Sequence, residues 1–295
     1  MIELIAEKGY AKINLGLEVV AKLPDNYHEL SMIMTPINLH DDLYFEDISD
    51  NVIVIDYGES SGFKIEDDLI YKAYSILKTT YNIGKGLKVK VVKRIPEQAG
   101  LGGGSADAAA TLRALNQLWD LHLSLDELAR LGFVIGCDVP FCIYNKTAKV
   151  TGRGDKIEFI EECPHMFVLL VFPDFKSSTA EVFSAFRNHN HNKGKIEKLQ
   201  LAIKHADISE ISNLIFNDLE YTKHYLEING IKEGLLHCGA IGSVMTGSGS
   251  TVYGICHSQK HAKSVLKKYN KLIKNLDSDK NYQAIVSTTK KECNF

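Results

Sequence analysis

The segment with the clearest chemical potential is a glycine cluster between a predicted strand and a predicted helix, within Arg94–Ala110 (RIPEQAGLGGGSADAAA). Glycine has no side chain, so its backbone N–H groups can approach a phosphate closely, and a helix N-terminus adds unpaired donors and partial positive charge. Four glycines within residues 100–104 cost backbone entropy that a plain turn does not need. The pattern therefore favours a phosphate-binding loop, with Ser105 in the first helical turn, where its hydroxyl could contact a phosphate or Mg²⁺.

Other well-known loop patterns do not fit this segment. The P-loop pattern G-x-x-x-x-G-K-[ST] occurs nowhere in the chain. The dinucleotide pattern G-x-G-x-x-G fails because Ser105 or Asp107 stands where the third glycine belongs. The hydrolase pattern G-x-S-x-G fails at Asp107, and the H-R-D and D-F-G pair of protein kinases is absent.

Hydrophobic periodicity predicts the elements that would position this loop. Strands and helices alternate in both halves of the chain, which favours an α/β or α+β fold over an all-β fold. The predicted elements are a strand at Lys88–Lys93, helices at Asp68–Lys78, Ser105–Trp119 and Lys260–Lys274, a helix opened by the capping box Ser124–Glu127, a buried strand at Met166–Phe172, and a loop at Arg187–Gly194.

Composition narrows the class of protein. The formal net charge is −3, from 34 basic and 37 acidic residues, which argues against a nucleic-acid clamp. The longest apolar run is Met166–Phe172, far short of the roughly 20 residues of a membrane span. The six cysteines form no C-x-x-C pair, which is typical of a reduced compartment. His189 and His191 form too short a cluster for a metal site and indicate a solvated loop. We expect a soluble, cytoplasmic protein with no nucleic-acid or membrane partner.

Three motifs in the same order carry a family resemblance. Pro96–Ala106 resembles the ATP-binding motif of the GHMP kinases, the family of galactokinase, homoserine kinase and mevalonate kinase. Tyr10–Leu15 is similar to the family's N-terminal motif, and Val244–Thr251 is similar to its C-terminal glycine motif. The resemblance implies a two-domain fold: an N-terminal domain (1–158) of the ribosomal-protein-S5-domain-2-like type, and a ferredoxin-like C-terminal domain (159–295).

Four further stretches narrow the resemblance within the family: Asp25–Leu30, Ile135–Phe141, Thr151–Gly154 and Asn217–Glu220. They resemble the members that use ATP and Mg²⁺ to phosphorylate the 2-hydroxyl of 4-diphosphocytidyl-2-C-methyl-D-erythritol, in non-mevalonate isoprenoid precursor synthesis. A small-molecule substrate and a monomer or weak homodimer are implied.

The resemblance also implies roles for individual residues. Asp138 corresponds to a general base and Lys12 to its electrostatic partner. Asp138 directly precedes Val139-Pro140, which predicts a position near a helix N-terminus. The simpler alternative makes Asp138 a helix cap and Lys12 a surface charge. Residues implied in ATP binding are Asp68, Pro96, Ala99, Gly100, Leu101, Gly102, Gly103, Gly104, Ser105 (also toward Mg²⁺) and Ala106. Residues implied in substrate binding are Asn14, Tyr27, His28, Asp138, Phe183, Gly247, Ser248 and Gly249.

Three departures from the family pattern leave alternatives open. Asn26 stands where glycine is usual, Asp68 stands where asparagine is usual, and Glu97 adds a negative charge at the start of the phosphate loop. Another GHMP kinase with a different alcohol substrate, or a relative that binds nucleotide or metabolite without turnover, are the alternative predictions.

Overall fold

The computed structural model describes residues 4–25, 27–58, 64–186, 192–221, 224–276 and 282–291. Asn26, His189 and His191 lie outside these residues. The strands are β1 (Leu4–Lys22), β2 (His28–Ile48), β3 (Ile53–Asp56), β4 (Gly86–Val92), β5 (Ala148–Gly152), β6 (Lys156–Phe159), β7 (Phe167–Phe172), β8 (Phe216–Asn217), β9 (Gly242–Met245), β10 (Val252–Cys256) and β11 (Gln283–Thr288).

The helices predicted at Asp68–Lys78, Ser105–Trp119 and Lys260–Lys274 are present, and the predicted capping box is formed by Ser124 and Glu127. Short 3₁₀ turns lie at Ile65–Asp67 and Asp218–Glu220. The helices are α1 (Leu69–Thr80), α2 (Gly103–Leu118), α3 (Leu125–Ile135), α4 (Val139–Tyr144), α5 (Thr179–Ala185), α6 (Lys195–Lys204), α7 (Ile208–Leu214), α8 (Tyr225–His237) and α9 (Gln259–Leu276).

The first of two compact units comprises the described residues of Met1–Ala11, Leu39–Glu97 and Gly102–Asn145. In this unit β4 pairs antiparallel with Asp42–Ile48 of β2 and parallel with β3. Helix α2 packs against α1, α3 and α4. Its alanine-rich buried face explains this, because small side chains let three neighbouring helices approach closely.

The second unit comprises the described residues of Lys12–Asn38, Gln98–Leu101 and Lys146–Phe295. Its main sheet has the antiparallel order β11-β7-β10-β9. Helices α5–α8 connect β7 to β9, and α9 connects β10 to β11, so the chain order is β-α-β-β-α-β. That order is the ferredoxin-like arrangement expected for the C-terminal part.

Two helical glycines meet different surroundings. A Cβ on Gly132 of α3 would lie only 2.8 Å from Cγ1 of Val139, the first residue of α4, whereas a Cβ on Gly230 of α8 would meet nothing within 4 Å. Gly132 therefore permits the close approach of α3 and α4, and so fixes the position of the segment that begins after Asp138.

We predict opposite effects on stability from alanine at these two glycines. Gly132→Ala should lower the free energy of unfolding by about 1–3 kcal/mol, because overpacking outweighs the gain in helix propensity. Gly230→Ala should raise it by about 0.5–1 kcal/mol, because only the propensity gain remains. Urea unfolding of both variants measures the difference; an equal increase for both would show that α3 and α4 are not in close contact at Gly132.

Candidate functional site

Both units contain residues that the sequence predicts for the site. The first unit contains Asp68, Pro96, Gly102, Gly103, Gly104, Ser105, Ala106 and Asp138. The second unit contains Lys12, Asn14, Tyr27, His28, Ala99, Gly100, Leu101, Phe183, Gly247, Ser248 and Gly249.

The glycine cluster of the first unit forms the start of α2, as predicted. Gly102 has a left-handed backbone conformation (φ +71°) and occupies the N-cap position. The first helical hydrogen bond runs from Ala106 N to Gly102 O at 2.8 Å. The N–H groups of Gly103, Gly104 and Ser105 precede that bond and lack an acceptor within the helix. This end of α2 therefore presents backbone donors that suit an anion.

Gly103 is also required by packing. A Cβ at this position would lie 2.9 Å from Cγ2 of Ile95 and 3.8 Å from Nζ of Lys93. Part of the glycine content thus serves the close approach of the loop to Ile95, independently of any ligand. The same distances place the Lys93 ammonium beside the first turn of α2.

Lys93 belongs to a buried charge cluster that sequence reasoning missed. Its Nζ contacts Asp41 Oδ2 at 2.5 Å and Asp107 Oδ2 at 2.6 Å. Burial raises the pKa of Asp107 to about 8, against the opposing effect of the Lys93 ammonium. Although burial alone lowers the pKa of Lys93, Asp107 and Asp41 raise it above its ordinary value. Lys93 thus stays protonated near neutral pH.

Asp68 lies at the start of α1, where both of its carboxylate oxygens are used. Oδ1 accepts a hydrogen bond from Ile70 N at 2.8 Å and caps the helix. Oδ2 accepts a hydrogen bond from the Tyr57 hydroxyl at 2.6 Å. Burial and the Asp68 carboxylate raise the pKa of Tyr57. The departure from asparagine at this position therefore has a local structural role.

Asp138 lies directly before α4, as predicted, but its side chain does not cap the helix. A Cβ on the nearby Gly136 would lie 4.0 Å from Ser105 Oγ, so the turn before Asp138 runs close to the start of α2. Capping alone therefore does not account for an aspartate at this position.

Lys12 is buried in the second unit, with 4% of its surface exposed, so it is not a surface charge. Its Nζ donates to Asn14 Oδ1 at 2.9 Å. The Thr246 hydroxyl accepts from Asn14 N at 3.0 Å and donates to Asn14 Oδ1 at 3.3 Å. The buried Tyr253 hydroxyl, whose pKa burial raises, donates to Asn14 O at 2.9 Å. Asn14 is thus fixed on several sides and orients the Lys12 ammonium.

Two glycine segments of this unit contact each other backbone to backbone. Ala99 O accepts a hydrogen bond from Thr251 N at 3.2 Å. Gly100 has φ +75°, and a Cβ there would overlap the Thr246 carbonyl oxygen and lie 2.9 Å from Gly249 O. Only glycine fits this conformation and spacing.

The contact between the two glycine segments also brings Gly247 next to Lys12. A Cβ on Gly247 would lie 2.8 Å from Gly100 O and 3.2 Å from Lys12 Nζ. The structure therefore brings together Lys12, Asn14 and both glycine segments of this unit.

The aromatic residues implied in substrate binding make two separate ring contacts. The His28 ring stacks on Phe183 with ring centroids 5.1 Å apart. Tyr27 instead lies under the Arg153 guanidinium, 4.7 Å from its ring centroid, and Arg153 also pairs with Asp25. Burial, with a smaller effect from the Lys22 charge, lowers the pKa of His28. The imidazole is therefore neutral near pH 7 and has one donor and one acceptor nitrogen.

Two family models match separate parts of the chain. The sequence model of the GHMP kinases N terminal domain matches residues 68–146, and that of the GHMP kinases C terminal domain matches residues 199–275. A 4-diphosphocytidyl-2-C-methyl-D-erythritol kinase of Shouchella clausii is 42% identical over 260 residues, which are 88% of each chain. The chain belongs to the GHMP kinase family. A Staphylococcus epidermidis protein, named only provisionally as the same kinase, is 41% identical over 90% of this chain and 95% of its own.

Solved structures confirm the predicted GHMP kinase fold. A crystal structure of 4-(cytidine 5'-diphospho)-2C-methyl-D-erythritol kinase superposes with a TM-score of 0.79 at 27% identity, covering 97% of this chain and all of the other. A homoserine kinase from Cytophaga hutchinsonii superposes at 0.77 with 18% identity, covering 97% and 95% of the two chains, which shows the fold alone. The two family models lie on either side of residue 158, and the exact domain boundary stays a prediction.

Two negative findings concern the described residues of this GHMP kinase. Within the described ranges, no helix combines the length and apolar character of a membrane span. No three His, Cys, Asp or Glu side chains in that part of the chain are grouped so that they could hold a metal ion.

Proposed function

We propose that this GHMP kinase transfers the γ-phosphate of ATP to the 2-hydroxyl of 4-diphosphocytidyl-2-C-methyl-D-erythritol. The main support for this substrate is the 42% identity, over 88% of each chain, to a kinase named for that substrate. The Asp25–Leu30 segment supports it, because its His28 ring lies against Phe183 and its Tyr27 ring lies against the Arg153 guanidinium, flat groups that suit a planar base.

The nucleotide part of the proposal rests on the start of α2. The N–H groups of Gly103, Gly104 and Ser105, which have no acceptor within the helix, are the donors that we assign to the ATP phosphates. Mg²⁺ bound to the phosphates would neutralise charge that develops during transfer. The Ser105 hydroxyl, in the first turn of α2, is the protein oxygen that we assign to it.

The transfer itself needs a base and a fixed cation. We assign Asp138 as the base that accepts the proton of the substrate hydroxyl as the oxygen attacks the γ-phosphorus. We assign Lys12 as the cation that stabilises the charge on the phosphoryl oxygens. The hydrogen bond from Lys12 Nζ to Asn14 Oδ1 supports this role, because a fixed charge needs little reorganisation during the reaction.

The aromatic contacts limit how a cytosine base could be bound. His28 covers one face of Phe183, and the Arg153 guanidinium covers one face of Tyr27, so each of these two rings has one face left for a base. We propose that the base stacks on a remaining ring face and that the neutral His28 imidazole hydrogen-bonds its edge. A site built for the cytosine edge would leave a polar group unpaired against uracil.

The remaining parts of the proposal concern the cellular setting. A monomer or weak homodimer in the cytoplasm, acting without nucleic acid or membrane, remains our proposal. The nearly neutral net charge supports the lack of a nucleic-acid partner, and the short apolar runs support the lack of a membrane span.

A substrate panel tests the proposed function. Purified wild-type protein with ATP and Mg²⁺ should turn over the cytidylated methylerythritol, and should be far slower with homoserine, mevalonate and galactose. Asp138→Ala should lower turnover by about 10²–10⁴-fold, with little change in ATP affinity. Release of ADP in a coupled assay measures all reactions. Faster turnover of another alcohol would identify a different GHMP kinase, and ATP binding without turnover of any alcohol would identify a binding protein.

We predict that His28→Ala alters substrate specificity. It should raise KM for the cytidylated substrate by about 10-fold, the worth of one hydrogen bond, and leave KM for ATP nearly unchanged. The ratio of kcat/KM for the cytidine form of the substrate to kcat/KM for the uridine form should be smaller in the variant than in the wild type. His205→Ala, at an exposed histidine of the same unit, is the control. If His28→Ala keeps the KM and the base preference of the wild type, the base is recognised elsewhere.

A further inference from the structure

Asn217 is a buried side chain that makes three hydrogen bonds to backbone. It lies at the end of β8 with 3% of its surface exposed. Its Nδ2 donates to Met245 O at 2.9 Å and to Gly247 O at 2.8 Å, and its Oδ1 accepts from Leu219 N at 2.9 Å. One amide thus joins the turn after β8 to the glycine segment after β9.

Glu220, three residues later, holds the same glycine segment from its start. Its Oε1 accepts a hydrogen bond from Met245 N at 2.9 Å, and its Oε2 pairs with Lys232 Nζ at 2.6 Å. Both backbone polar groups of Met245 are therefore bound, the N–H by Glu220 and the carbonyl by Asn217. The backbone from Met245 to Gly247 has little freedom to shift while both side chains are in place.

The restrained segment contains the groups that orient Lys12. Thr246, between the two carbonyls that Asn217 binds, exchanges two hydrogen bonds with Asn14. Asn14 Oδ1 in turn accepts a hydrogen bond from the Lys12 ammonium. A shift of the segment would therefore move the Thr246 hydroxyl, release Asn14, and change the position of Lys12.

We infer that Asn217 and Glu220 are positioning residues for phosphoryl transfer, which hold Met245–Gly247 so that Thr246 and Asn14 fix the Lys12 ammonium. The inference rests on the proposed function, since it assigns Lys12 to that reaction. It predicts an effect on the chemical step and not on nucleotide binding, because misplacement of a charged group by about 1 Å can cost roughly 100-fold in rate.

Chemistry explains why an amide is needed at position 217. Two N–H groups must face two carbonyl oxygens while an oxygen faces the Leu219 N–H. An aspartate has the same shape but no donor when ionised, so Asn217→Asp would place a carboxylate against two carbonyls. Asp218→Asn is the matched control, because Asp218 lies in the same turn but accepts from Val19 N and Asn192 Nδ2, away from the glycine segment.

The first experiment compares these two variants by steady-state kinetics and by hydrogen exchange of the peptide 243–251. Asn217→Asp should lower kcat by about 10- to 100-fold, with KM for ATP within about threefold, and should speed exchange in that peptide. Asp218→Asn should match the wild type in both measurements. If kcat of a folded Asn217→Asp is unchanged while its exchange is faster, or if both variants lose kcat equally, the inference is wrong.

A second pair of variants separates hydrogen bonding from the ion pair and applies even if Asn217→Asp does not fold. Glu220→Gln with Lys232→Met keeps an oxygen for Met245 N and removes both charges. Glu220→Leu with Lys232→Met removes the oxygen as well. The glutamine pair should keep wild-type kcat, and the leucine pair should lose about 10-fold or more. Equal kcat in both pairs would contradict the inference.

The exchange measurement also separates this inference from the proposed function. If wild-type protein does not phosphorylate the cytidylated substrate, the proposed substrate fails, and the kinetic comparison is made with the alcohol that the substrate panel identifies. If no alcohol is turned over, the role in phosphoryl transfer fails as well. If Asn217→Asp leaves the hydrogen-exchange rate of peptide 243–251 unchanged, the inference is wrong, even when the wild-type enzyme is fully active.

Discussion

The burial of the Lys12 ammonium constrains the contacts around it in the second unit. A cation removed from water must find acceptors in the protein, because an unpaired buried charge is very unfavourable. Asn14 supplies one acceptor oxygen, and Thr246 and Tyr253 hold Asn14 in place. The close contact of the two glycine segments leaves room for this ammonium, since a Cβ on Gly247 would lie 3.2 Å from Lys12 Nζ.

The first unit meets a similar constraint in another way. Lys93 is held between Asp41 and Asp107, where the backbone donors of α2 begin. Burial raises the pKa of the Asp107 carboxyl and the Lys93 ammonium opposes that rise, and one ammonium between two carboxyl groups adds no net positive charge. The backbone amides at the start of α2 suit an anion without a large excess of basic side chains.

The elements and the family could be predicted because their signals are local. Periodicity located α1, α2 and α9, and the glycine loop with its two companion motifs indicated the GHMP kinases. The contacts that hold the site were harder to predict, since they join residues far apart in the sequence. Asn217 and Thr246 lie on separate strands or loops, and nothing near Lys93 in the sequence indicates that Asp41 and Asp107 flank it. The stacking of His28 on Phe183 was likewise not evident, because both rings suit a base equally well.

We propose that the fixed Lys12 ammonium serves the phosphoryl transfer step. A single-turnover experiment with γ-labelled ATP tests it most directly, comparing wild-type protein with Lys12→Met, which keeps the length of the side chain and removes the charge. The rate constant for label transfer should fall by at least about 100-fold, while the Kd for ATP should change by less than about threefold. A folded Lys12→Met protein that transfers the label at the wild-type rate would contradict it.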